Sequence, residues 1–106
     1  MIFLSAAEIN NRIKNNDDIR IIDVREPYEV DICSIGCRNI PMATVVNYID
    51  ELKSFEKIVF MCRSGKRAES VANWLESDYQ FSNIIVMEGG IAQWKEQVDP
   101  SLLLDD

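Results

Sequence analysis

Residues 57–67 read Lys57-Ile58-Val59-Phe60-Met61-Cys62-Arg63-Ser64-Gly65-Lys66-Arg67: an apolar run, a cysteine, then a short basic loop. Lys57 to Met61 is a buried strand, because it is apolar without interruption from Ile58 on. A helical pattern begins near Ala68, where Ala68, Val71, Ala72 and Leu75 recur on one helix face. Ile19 to Val24 and Ile84 to Met87 read as further buried strands. Strands of this kind alternating with amphipathic helices imply an α/β fold, a mainly parallel sheet with helices on both faces. In such sheets ligands bind beyond the carboxyl ends of the strands. Cys62 stands in that position.

The remaining segments fit the same plan. Ser5-Ala6-Ala7-Glu8 matches a capping box, with Ile9 and Ile13 on the apolar face of a first short helix. Asn15-Asn16-Asp17-Asp18 is a polar turn. A second helix is expected from about Thr44, carrying Val45, Tyr48, Ile49 and Leu52. Gly89-Gly90 reads as a turn, and Ile91, Trp94 and Val98 as a last helical face. With 106 residues, no internal repeat and no linker, residues 1–106 are expected to form one domain.

A thiol at position 62 meets the backbone N–H groups of the loop and the positive end of the following helix. Both favour a thiolate, as do the cations Arg63, Lys66 and Arg67. The local chemistry is that of a nucleophilic, anion-binding cysteine, against the commoner fate of a free thiol as a small core residue. The chain carries no histidine, which excludes Cys-His and Ser-His pairs and His-based metal sites. The loop itself must activate the nucleophile.

Composition narrows the partners. A net charge of −7 argues against nucleic acid and anionic membrane surfaces, so three cations clustered after one cysteine are informative. No apolar run reaches membrane-spanning length, and Met1-Ile2-Phe3-Leu4 lacks a basic leader. Three cysteines cannot all pair in one chain, and free thiols suit a reducing, cytoplasmic location.

Four pieces of the chain, in order and spacing, resemble a rhodanese-type sulfurtransferase domain: Asp23-Val24-Arg25-Glu26, Ile35-Gly36 with Asn39-Ile40-Pro41, the Cys62 to Arg67 loop, and Glu88-Gly89-Gly90-Ile91 followed by Trp94. Ile32 to Met42 and Val98 to Leu102 look most like rhodanese modules attached to enzymes that activate sulfur-carrier proteins. The resemblance implies about five strands. It also implies that Cys62 takes a sulfane sulfur from thiosulfate or a protein persulfide and passes it to cyanide, a small thiol or a protein acceptor. Arg63, Ser64, Gly65, Lys66 and Arg67 would form the substrate-binding loop, with no cofactor and no metal. Arg63 and Lys66 would attract the anionic donor, Gly65 would permit the tight curl, and Arg67 would brace the loop by pairing with a carboxylate. A monomer is expected. Many members carry a His near Ser34, and the Cys33–Pro41 stretch is one residue shorter than their commonest form, so the surface beside the site should differ.

Two alternatives remain open: a non-catalytic binding domain, and a small phosphatase. Related phosphatases place five residues between Cys and Arg, whereas four separate Cys62 from Arg67, leaving less room for phosphate. Asp23 and Arg25 are expected as a structural ion pair at a strand end. Cys33 and Cys37 are expected as packing thiols, with a role in resolving a persulfide as the alternative. Trp74 and Trp94 are expected in the core or lining a groove, and Leu102 to Asp106 as a docked apolar strip with an acidic end.

Overall fold

A computed structural model describes residues 1–104 of the chain. The elements run β1 (Ile2–Leu4), α1 (Ala6–Lys14), β2 (Ile19–Asp23), α2 (Pro27–Ile32), β3 (Arg38–Asn39), a 3-10 helix over Met42–Tyr48, α3 (Ile49–Lys53), β4 (Lys57–Met61), α4 (Lys66–Tyr79), β5 (Ile84–Met87) and α5 (Gly90–Gln97). The five strands form one sheet in the order β1-β5-β4-β2-β3, and every pairing is parallel.

Strand alternation explains why the apolar runs are uninterrupted. Ile58, Phe60, Ile84 and Val86 face one core together with Ala68, Val71, Ala72 and Leu75 of α4 and with Val45 and Leu52. Val59, Met61, Ile85 and Met87 face the other, against Ala6 and Ile9 of α1 and Ile91 of α5. Both faces are covered from Ile58 onward, so a polar side chain within Ile58–Met61 or β5 would be buried without a partner, whereas Lys57 at the half-exposed start of β4 pairs with Asp17. Trp74 packs against the first core and Trp94 against the second.

Several local expectations change. Helix α4 starts at Lys66, two residues before the apolar pattern does, so Lys66 and Arg67 are its first helical residues rather than loop. The segment after Pro41 is first a 3-10 helix and only from Ile49 an α-helix. Ser5 caps α1 by accepting the N–H of Glu8 at 3.1 Å, but Ile13 at the far end of that helix is exposed. In β2 only Ile22 and Asp23 are buried, because the two-residue β3 covers just those positions and leaves Ile19 to Ile21 at an open edge. Elements β1, α2 and β3 were not anticipated from the apolar pattern.

Leu102 and Leu104 pack against the second core while Leu103 stays exposed; the acidic end expected at Asp105 and Asp106 lies outside the described residues. No helix among the described residues is long and apolar enough to cross a membrane.

Candidate active site

Strand β4 carries the chain to the end of the sheet, and the next residue is Cys62, 1% exposed. Its Cβ side joins the first core, while its sulfur accepts the backbone N–H of Gly65 at 3.0 Å. Gly65 is the N-cap of α4 with φ +102°, a left-handed conformation that side chains rarely adopt. That turn folds the loop back so that an amide and the positive end of a 14-residue helix meet the sulfur. Ser64 and Lys66 are exposed at the mouth, and Arg63 is half-buried beside them. A cleft of ≈ 240 Å³ adjoins the loop, lined by Ser64, Gly65, Lys66, Glu69 and Glu88 among others. A larger cavity, ≈ 480 Å³, lies along β2 near Cys37, and none of residues 62–67 lines it.

The loop is gripped from behind by α5. The N–H of Ile91 donates to the Cys62 carbonyl at 2.9 Å, and that of Ala92 to the Arg63 carbonyl at 3.3 Å. This approach requires glycine at position 90, where an added Cβ would lie 2.2 Å from the Cys62 oxygen and 2.5 Å from that of Arg63. Beyond its place in a turn and in the Glu88–Ile91 motif, Gly90 sets how closely helix and loop meet. Gly90→Ala should therefore destabilise the fold by about 2–4 kcal/mol, combining left-handed strain with overlap against backbone that cannot rotate aside. Gly36→Ala is the control, since its φ is also positive but nothing lies within 4 Å of the added atom. Denaturant unfolding of both variants checks this, and equal losses would remove the close-approach role of Gly90.

Asp23 and Arg25 sit at the end of β2 and form a buried ion pair, their side chains 1% and 3% exposed. Arg25 Nη2 donates to Asp23 Oδ2 at 2.7 Å and Nε to both carboxylate oxygens at 3.0 Å. The same guanidinium donates to the Cys33 carbonyl at 2.7 Å and the Glu29 carbonyl at 3.4 Å, tying α2 to the sheet. Burial works against the charge on Arg25, but the bond to Asp23 and its charge outweigh it and hold the guanidinium protonated. Asn39, which sequence reasoning tied to no contact, clamps the Asp23 and Arg25 carbonyls at 2.8 and 2.9 Å.

Arg67 pairs with Glu29 across the site: Nη1 donates to Oε1 at 2.7 Å and Nη2 to Oε2 at 2.9 Å. The hydrogen bond from Arg67 holds the Glu29 carboxyl down to about 2, against the opposing effect of burial. Glu29 was not singled out from the sequence. It lies 38 residues from its partner, and only its place three residues after Glu26, at a helix start, hinted at a role. Cys33 is buried and Cys37 half-buried, both as free thiols, and burial followed by the Asp23 charge pushes the Cys37 thiol up to about 12. Among the described residues no group of three or more His, Cys, Asp or Glu is placed to hold a metal ion.

A buried sulfur beside an inward-facing amide at a helix N-terminus can stabilise a sulfur-centred anion. Comparison with known proteins points the same way. The Rhodanese-like domain family matches residues 5–97. The chain is 31% identical over 98 residues to the putative sulfurtransferase YtwF of Bacillus subtilis, covering 92% of this chain and 93% of that protein. It is 36% identical over 91 residues to Rhodanese-like/PpiC domain-containing protein 12, chloroplastic, of Arabidopsis thaliana, covering 81% of this chain but only 30% of that protein. It is 29% identical to the adenylyltransferase and sulfurtransferase MOCS3 of Drosophila ananassae, covering 92% of this chain and 23% of that one. The crystal structure of a rhodanese-related protein from Thermoplasma volcanium superposes with a TM-score of 0.80 at 29% identity, over 99% of this chain and 100% of that one.

Proposed function

The chain belongs to the rhodanese-like domain family, and from that premise we propose that it is a sulfurtransferase whose Cys62 carries the transferred sulfur as a persulfide. The observation that carries this reading is the Gly65 amide aimed at the Cys62 sulfur at 3.0 Å from the head of α4. The Cys62 thiolate attacks the outer sulfur of thiosulfate; a new S–S bond forms, the bond to the sulfonate sulfur breaks, and sulfite leaves with its electron pair. The persulfide anion then rests against the Gly65 amide at the head of α4, which is already directed at the sulfur. Cyanide or an acceptor thiolate attacks the outer sulfur and restores the Cys62 thiolate. Charge and atoms balance in both halves, so no cofactor is required.

Lys66, exposed at the mouth, and Arg63 supply the attraction for an anionic donor. A protein persulfide is the second donor class the site accommodates, and a protein thiol or carrier the second acceptor class. The Drosophila relative that is named as both adenylyltransferase and sulfurtransferase supports a partner of that kind. Turnover tests the proposal: thiosulfate and cyanide, or a persulfidated donor protein and an acceptor thiol, should give catalytic sulfur transfer. No transfer in either pairing would contradict it.

A further inference from the structure

Charged groups of alternating sign, one link of which runs through a backbone carbonyl, form a line from the end of β2 to the helix that follows Cys62. Asp23 pairs with Arg25, Arg25 reaches the Glu29 carbonyl, the Glu29 carboxylate takes both terminal nitrogens of Arg67, and Arg67 stands in the first turn of the helix whose N-cap amide meets the Cys62 sulfur. Glu29 is the hinge of this line. Its carboxylate is only 15% exposed, and Oε1 also accepts the N–H of Glu26 at 3.1 Å, so its orientation is fixed from its own helix. Helix α2 buries no side chain, which makes these polar contacts important to its placement over the loop.

Building on the sulfurtransferase reading above, we propose that Glu29 is a positioning residue for that reaction: it neutralises Arg67 and turns it into a frame for the Cys62 loop instead of a binding charge for the donor. A bidentate pair has no net charge, so it adds little potential at the sulfur beyond a short distance. The attraction for anions then comes from loop amides, the helix end and the cations at the mouth. The benefit is in release. A guanidinium that gripped thiosulfate would grip the departing sulfite equally, and binding both alike does not speed the chemical step. The line also couples the buried Asp23–Arg25 pair to the loop through one residue.

Local charge at Cys62 can be read without any sulfur transfer. Iodoacetate and iodoacetamide both alkylate the thiolate with loss of iodide, but only the first is an anion, so the ratio of their rates reports the potential at the sulfur. Mass mapping restricts the reading to the Cys62 peptide; Cys33 is buried and Cys37 stays protonated at neutral pH. Glu29→Gln should expose the Arg67 charge and raise the iodoacetate-to-iodoacetamide ratio by about three- to tenfold at low salt, with the gain lost at high salt. The double variant Glu29→Gln/Arg67→Gln, which leaves neither charge unpaired and so keeps the test available if the first variant folds poorly, should leave the ratio within about twofold of wild type, because it removes a pair of no net charge. An unchanged or lower ratio in Glu29→Gln, or a several-fold fall in the double variant, would overturn the proposal and make Arg67 a donor-binding cation. A protein inactive with every sulfur donor sinks the sulfurtransferase reading instead and leaves this ratio interpretable.

Discussion

Cys62→Ser should transfer sulfur at least about 10³-fold more slowly than wild type while keeping the wild-type fold. The serine oxygen cannot hold a sulfane sulfur, and no other loop residue offers a thiol within reach of the Gly65 amide. Serine is close to cysteine in size, so the first core, to which Cys62 contributes its Cβ side, loses little. The assay is thiocyanate formation from thiosulfate and cyanide, with circular dichroism and thermal melts alongside. Retained activity would remove Cys62 from the chemistry and turn attention to Cys33 or Cys37.

Asp23→Ala should destabilise the protein by about 3–5 kcal/mol, the cost of leaving a buried guanidinium without its partner. The exposure of the two side chains, 1% and 3%, makes this pair unlike the surface bridges of the same chain. Glu8→Ala breaks a half-exposed pair with Arg12 at 3.5 Å and should cost under about 1 kcal/mol. Urea unfolding of both variants gives the comparison. The loss at Asp23 has a second component, since its carboxylate also accepts the N–H of Arg25 at 3.0 Å and so shapes the turn out of β2. An Asp23→Ala protein no less stable than Glu8→Ala would show that water or the neighbouring carbonyls already satisfy Arg25.

The parts of the fold legible in the sequence are those with deep, periodic burial. Ile58 to Met61 and Ile84 to Met87 face covered cores on both sides, so composition alone marks them as strands. The elements that escaped notice bury little. Helix α2 has six residues and no buried side chain, hence no apolar stripe, and β3 is the polar pair Arg38-Asn39. The start of α4 was placed late because Lys66 and Arg67 carry no apolar periodicity, although they are helical. At the site, Cys62 and its cations were readable because they are neighbours in the chain. Glu29 and the Gly90 approach were not, because each depends on a contact that only the folded sheet brings together. The pairing carboxylate expected for Arg67 exists, but nothing local to the loop could say which one it is.

Mass spectrometry of the protein after exposure to thiosulfate, and separately to a persulfidated donor protein, tests the persulfide most directly. The expected result is a gain of one sulfur atom confined to the peptide that contains Cys62, discharged as thiocyanate when cyanide is added. No sulfur on Cys62 from either donor, or sulfur on Cys33 or Cys37 in its place, would contradict it.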